Sequence, residues 1–389
     1  MGNQIKVGVV GSAVFAPRNP ERFFLEEALH AATQAALRDA GITIEDIDGI
    51  VVASCDQQDG RAIAIMMASG SVGGVGRDLM STPSCGEHAF VLGALRVRSG
   101  IFRTQLVLSW NPMETADLEE VQRLATDPYY HRKLPQDDLA SHALQAVAIE
   151  AKVPGAREAA FSVVETNRRH GREAYPEYAE APVQRVHIEG GRMLRYPINE
   201  GMVTPPAFGV VAMVLASDDW IAEHKSPSPA WIQGMGWATE PAFIGDRDLS
   251  TAPSLRSATE QAYKEAGVSI DNPKFDLAEV SDTTPYQQLM ALDALGLCPR
   301  EQWSTAVAAG RFAREGDMPV NLSGGSLTFN PLFASGLMRI AEAANQTRGK
   351  AGAHQKIGVK TAVAHGSSGQ AMHYNTVVVF GHQPRENAK

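Results

Sequence analysis

Residues 36–44 read ALRDAGITI and residues 262–270 read AYKEAGVSI, and each nonapeptide leads through an aspartate, Asp48 or Asp276, into a strand-like run. Each is the end of a helix stopped by a glycine, Gly41 or Gly267, because glycine takes the left-handed conformation that closes a helix at little steric cost. A second echo follows in the same order. Residues 94–108 (ALRVRSGIFRTQLVL) match the layout of 341–363, where Arg348-Gly349 precedes KIGVKTAV at 356–363. Helix–glycine–strand alone is a generic α/β phrase. Two ordered echoes, about 225 to 250 residues apart, predict two related α/β halves, 1–225 and 226–389, whose loops meet at a shared crevice.

Outward from the echoes, the chain alternates strands and helices. Ile5–Gly11 is a short β-branched run ended by glycine, and a helix is predicted over about Pro20–Ala40. Strands are predicted at Gly49–Ser54 and Asp78–Ser81, a helix at Gly86–Arg98 and a strand at Gln105–Trp110. Residues 111–200 differ: they carry many charges, tyrosines and prolines, with helices near 138–152 and 157–173, and read as a loop domain inserted over the core. Val210–Ala216 then resumes the core as a strand.

The 389 residues are 44% hydrophobic and 20% charged, enough apolar material for a large core and no signature of disorder. The net charge of −9 argues against a general nucleic-acid or anionic-membrane binder. Three scattered cysteines, Cys55, Cys85 and Cys298, make neither a disulfide framework nor a zinc site. No run resembles a signal peptide or a membrane span, so a soluble protein of the cytoplasm is expected.

Four places carry the types of side chain that do chemistry. Cys85, in STPSCGEHAF, stands between a strand and a helix, where first-turn N–H groups and the helix dipole favour a thiolate. A cysteine there can equally be a small buried apolar residue. His365, in HGSSGQ, ends a core strand and can act as acid or base. VNLSGGSLTFNPLFASGL at 320–337 implies tight backbone beside a pocket; it contains neither the P-loop nor the dinucleotide glycine pattern. EVSDTTPY at 279–286 is a strand end rich in hydroxyls, with Asp282 as a capping or supporting group. A thiol from one half facing acid–base groups from the other is the layout of covalent acyl transfer.

On these residues the chain resembles the thiolase superfamily, nearest to its sterol-carrier-protein-type members. The likeness runs through SC-G at 84–86, GVVAMVLAS at 209–217, EVSD…LMALDALGLC at 279–298 and VNLSGGS…NPL at 320–332. It implies a duplicated α-β-α-β-α sandwich with an inserted loop domain, a homodimer or tetramer, no permanently bound cofactor or metal, and acyl-CoA substrates. The family's acyl-accepting cysteine falls on Cys85. Its two active-site histidines fall on Ser281 and Asn330, and its last catalytic position falls on His365. The resemblance therefore implies an acyl-CoA C-acyltransferase in which His365 serves as base for Cys85 while Asn330 polarises the thioester carbonyl. It leaves two alternatives: a retro-aldolase acting on 3-hydroxyacyl-CoA with Tyr286 as base, and a non-catalytic subunit paired with a small zinc-ribbon/OB-fold protein. Arginines 157, 168, 169, 172, 185, 192 and 195 give the insertion a basic bias suited to the CoA nucleotide, or a solvated face balanced by Glu158, Glu165 and Glu173.

Overall fold

A computed structural model describes residues 5–60, 63–83, 85–111, 117–134, 136–178, 181–225 and 228–385. Ser84 of the SC-G match, and two of the insertion's prolines, at 112 and 135, lie outside the described residues. The chain opens with β1 (Val7–Phe15), α1 (Leu25–Ala40), β2 (Gly49–Ala53), α2 (Asp56–Asp59), α3 (Ala64–Ser71), β3 (Asp78–Thr82), α4 (Gly86–Arg98) and β4 (Thr104–Asn111). Between β4 and β7 come α5 (Leu118–Leu124), α6 (Asp138–Lys152), α7 (Ala156–Ala174), α8 (Arg185–Glu189) and the small pair β5 (Met193–Arg195) and β6 (Ile198–Asn199). The core resumes with β7 (Gly209–Ser217), α9 (Asp218–His224), β8 (Ala230–Thr239), α10 (Pro253–Ala266), β9 (Leu277–Val280) and α11 (Pro285–Ala294). It closes with α12 (Trp303–Ala308), α13 (Ser335–Arg348), β10 (Thr361–Ser368) and β11 (Tyr374–Gly381).

The nine long strands run β3-β2-β4-β7-β1-β8-β11-β10-β9. Outward from its middle, this order is one pattern written twice. β1-β7-β4 and β8-β11-β10 are antiparallel, and β4-β2 and β10-β9 are parallel. Val320 even bridges Ala278 in parallel, where β3 stands beside β2 in the first copy. Among the described residues, the two half-sheets pair through Gly8–Trp231 and Val9–Ala230.

Five layers follow from where the apolar side chains point. α1 and α3 bury Leu29, Ala36 and Ala68 against Ile50, Leu106 and Val214 on the outer face of the first half-sheet. α4 and α13 lie between the half-sheets, with Phe90 and Leu337 packed among Val107, Met213, Ala362 and Phe380. α10, α11 and α7 cover the far face of the second half-sheet at Val363, Val377 and Val379. This is the duplicated α-β-α-β-α sandwich.

The sequence echo has a direct structural counterpart. A Cβ on Gly11 of β1 would lie 2.4 Å from the Ala36 carbonyl oxygen, and one on Gly234 of β8 would lie 2.1 Å from that of Ala262. The echoed alanines are thus where each outer helix touches its strand, and only glycine admits that approach. Gly41 and Gly267 close the two helices in the left-handed region, at φ 73° and 67°. The helix expected from Pro20 is instead a 3-10 turn (Pro20–Arg22), with α1 starting at Leu25. Pro20 sets the first turn but the chain straightens at Phe23 before the apolar face begins.

Candidate active site

Cys85 is the N-cap of α4, with extended backbone (φ −69°, ψ 168°), and is half-buried. The helix end is pinned by contacts that exclude any side chain at Gly86, whose Cβ would meet Leu337 and Ser109 at 2.7 and 2.8 Å. The thiol does not behave as the helix end alone suggests. Burial pushes its pKa well above that of an ordinary thiol, and the negative charge of Glu87, two residues on, adds to this. Ser368 of β10 stands beside the sulfur and offsets part of the rise, although its Oγ makes no well-formed hydrogen bond to a described residue. Asp138 and Cys55 add smaller negative influences.

Glu87 is unusual. It is fully buried, and neither carboxyl oxygen has a hydrogen-bond partner among the described residues. It occupies the space that Gly336 of α13 and Gly366 of β10 leave open; added Cβ atoms there would approach it to 2.1 and 2.8 Å. Glu87→Gln, which keeps the shape and removes the charge, is expected to move the Cys85 titration to lower pH. The pH profile of iodoacetamide alkylation at Cys85 measures this; an unchanged midpoint would show that Glu87 does not tune the thiol.

His365, expected as the base for Cys85, lies on the face of β10 turned away from α4. Alternation along β10 places His365 with Val363 on the face toward α10, whereas Gly366 and Ser368 share the face with Ala362 and Ala364 toward α4. Its Nε2 bonds Asn375 Oδ1 at 3.0 Å, and Asn375 in turn donates to Ser254 Oγ of α10 at 2.8 Å. Burial lowers the imidazole pKa from 6.5 to about 4. A base held neutral in the fold but protonated in the unfolded chain supports stability above pH 6.5, and that support is lost as pH falls through about 4. On acidification across this window the wild type is expected to lose ~3 kcal/mol more stability than His365→Asn. Urea unfolding at several pH values checks it, and parallel losses would refute a neutral buried imidazole.

The other expected site residues serve the backbone around the site. Ser281 Oγ accepts the Ser367 N–H at 2.8 Å, tying the end of β9 to β10. Asn330 donates from Nδ2 to the Thr204 carbonyl at 2.9 Å, and its buried Oδ1 has no partner among the described residues. Asp282 caps no helix: it accepts from Asn167 Nδ2 and the Ser326 N–H at 2.7 and 2.6 Å, holding the glycine turn at 324–325. Tyr286, weighed as a base for aldol cleavage, is engaged elsewhere. It is buried against Glu150, and burial together with that carboxylate raises its phenol pKa.

Sequence reasoning passed over Asp138, the first residue of α6. Burial, with the neighbouring Asp137 charge, lifts its carboxyl from 3.8 to about 6, and its charge reaches the Cys85 sulfur. Among the inserted arginines, Arg157, Arg185, Arg192 and Arg195 are paired with carboxylates. Arg168 is buried and donates to the carbonyls of Leu327, Pro182 and Val203. Arg169 and Arg172 on α7 are exposed and form no ion pair among the described residues, which leaves them able to meet phosphates.

Three comparisons bear on this geometry. Residues 237–382 match the family model described as thiolase C-terminal domain-like. The chain is 29% identical over 184 residues to the acetyl-CoA acetyltransferase of Methanothermobacter thermautotrophicus, covering 47% of each. It is 30% identical over 167 residues to human sterol carrier protein 2, covering 41% of this chain and 30% of that protein. The matches therefore span about half or less of these curated relatives. The solved Ltp2-ChsH2(DUF35) aldolase superposes with a TM-score of 0.81 at 18% identity over 97% of both chains, a likeness of fold. With the doubled sheet and Cys85 at the start of the central helix, these likenesses converge: the chain resembles the thiolase superfamily, in sequence over the C-terminal domain and in fold throughout, and its sterol-carrier-protein-2-type members among them.

Proposed function

We propose that the chain makes or breaks a carbon–carbon bond in an acyl-CoA thioester, with Cys85 as acyl acceptor. The observation that carries this is the half-buried thiol at the N-cap of α4, which also feels the charge of Asp138, a carboxyl that burial lifts to about 6. Because the thiol rests neutral, its proton leaves as the sulfur attacks the thioester carbonyl, and Asp138, whose charge is felt at the sulfur, is the proposed acceptor. The carbonyl oxygen becomes an oxyanion, which first-turn N–H groups of α4 suit by position and charge. Breakdown of that intermediate breaks the carbon–sulfur bond to CoA, which leaves as its thiol with the proton taken from Cys85, and the acyl group stays on the Cys85 sulfur. A carbanion then attacks that acyl carbon, forming the carbon–carbon bond and expelling the Cys85 thiolate. Cleavage is the same sequence in reverse, with CoA as the entering thiol. CoA enters as a substrate, with Arg169 and Arg172 as candidates for its phosphates.

Intact-protein mass spectrometry after incubation with a panel of acyl-CoAs tests this: one acyl mass on Cys85 is expected. Failure of every acyl-CoA to load the wild type would remove covalent transfer. A retro-aldol cleavage of a 3-hydroxyacyl-CoA is the second candidate, favoured by one observation: Cys85 rests neutral while His365 faces away from it, and an aldol cleavage needs no thiolate. The two differ in that a retro-aldolase cleaves its 3-hydroxyacyl-CoA without added free CoA. The homodimer and the zinc-ribbon/OB-fold partner belong to the same proposal. Co-purification from the native host, with light scattering of the purified chain, decides whether either forms.

A further inference from the structure

Cys55 enters the same site by topology. In the first half-sheet β2 lies between β3 and β4, with Ala53 opposite Thr82 on one side and Ser109 on the other. The Ser54 N–H donates to the Thr82 carbonyl at 3.3 Å, continuing the pairing one residue past β2. Gly86, where α4 begins, packs against Ser109. Between Thr82 and Gly86 the chain has therefore moved from one neighbour of β2 to the other, a lateral shift of ~10 Å, or two strand spacings. Thr82 and Gly86 thus flank the end of β2 on its two sides. Cys85 immediately precedes Gly86, and Cys55 follows β2 by two residues.

Two further observations agree. Both cysteines are half-buried and pack on the same central apolar cluster, whereas Cys298 is fully buried in the outer cluster around α11. The charge of a Cys55 thiolate would also be felt at the Cys85 sulfur. Among the described residues the Cys55 thiol makes one long contact, with Gln57 Oε1 at 3.6 Å.

We propose that Cys55 and Cys85 form a reversible disulfide when the protein meets a peroxide, capping the Cys85 sulfur. A peroxide oxidises one thiol to a sulfenic acid and releases one water; the second thiol displaces the sulfenic oxygen, which leaves as a second water. Both electrons come from the pair of thiols, and a dithiol reductant restores them. This goes beyond the acyl-transfer proposal and does not depend on it, because the bond is read by mass and not by turnover.

The test treats the folded full-length chain with hydrogen peroxide, blocks remaining thiols and maps the unreduced digest. The wild type is expected to lose two hydrogens and yield a peptide pair joined through Cys55 and Cys85, both reversed by dithiothreitol. Cys298→Ser should cross-link as the wild type does, while Cys55→Ser should give none, with circular dichroism confirming that each variant is folded. Two thiols that remain alkylatable would overturn the proposal. So would over-oxidation of Cys85 alone without a cross-link, or a link only between separate chains.

Discussion

Cys85→Ala is expected to lower kcat/KM for acyl transfer by on the order of 10³-fold or more, and to leave no acyl mass on the protein. The magnitude follows from the lack, among the described residues, of a substitute nucleophile at the helix end. Ser368, the hydroxyl that stands beside the sulfur, belongs to β10 and flanks Cys85 from the neighbouring sheet. Steady-state rates with a thiolysis or condensation assay, paired with intact mass, measure the effect. If Cys85→Ala still cleaves 3-hydroxyacyl-CoA at the wild-type rate, the sulfur is not the reacting atom and the aldol route replaces acyl transfer.

The second large effect concerns stability. Arg339 and Glu279 are both fully buried, with Nη1 bonded to Glu279 Oε2 at 2.9 Å, and Ser323 accepting from Arg339 while donating to the same carboxylate at 2.6 Å. Burial lifts the Glu279 pKa to about 7 even though Arg339 opposes the rise. Arg339→Met would leave that carboxylate without its cation, a loss of about 3–5 kcal/mol at pH 8. A carboxyl whose folded pKa is raised favours the folded state most below its unfolded pKa, near 4.5, and loses that advantage as pH climbs through the folded value. The defect should therefore shrink as pH is lowered from 8 toward 5. Adding Glu279→Gln should restore most of the loss. Denaturant unfolding of the single and double variants checks both points; equal stability of Arg339→Met and wild type at pH 8 would show that the pair is not buried as described.

The fold was legible because its defining signal is local. A glycine-stopped helix entering a strand is written in nine adjacent residues, and two copies in order leave few arrangements. The start of α4 at Gly86 also followed from sequence, since a cysteine and a glycine after a proline mark a helix entry. Orientation within β10 was not legible. TAVAHGSS is apolar or small at both alternating sets of positions, as suits a strand covered on both faces, so nothing in it says which way His365 points. Glu87 was overlooked because an acid in a first turn reads as ordinary dipole compensation. Only Gly336 and Gly366, from distant segments, show that it is walled in. Asp138 was hidden likewise behind Asp137, the true cap of α6, which accepts from Ala140 N at 2.6 Å.

The glycines under the echoed alanines constrain how the two copies could drift apart. At Gly11 and Gly234 the contact is with backbone carbonyl oxygen, which no rotamer change can move aside. Even alanine there would prise an outer helix off its sheet, so these positions cannot record divergence by gradual exchange. The two halves thus hold the same spacing between outer helix and sheet while their strand ends present different side chains.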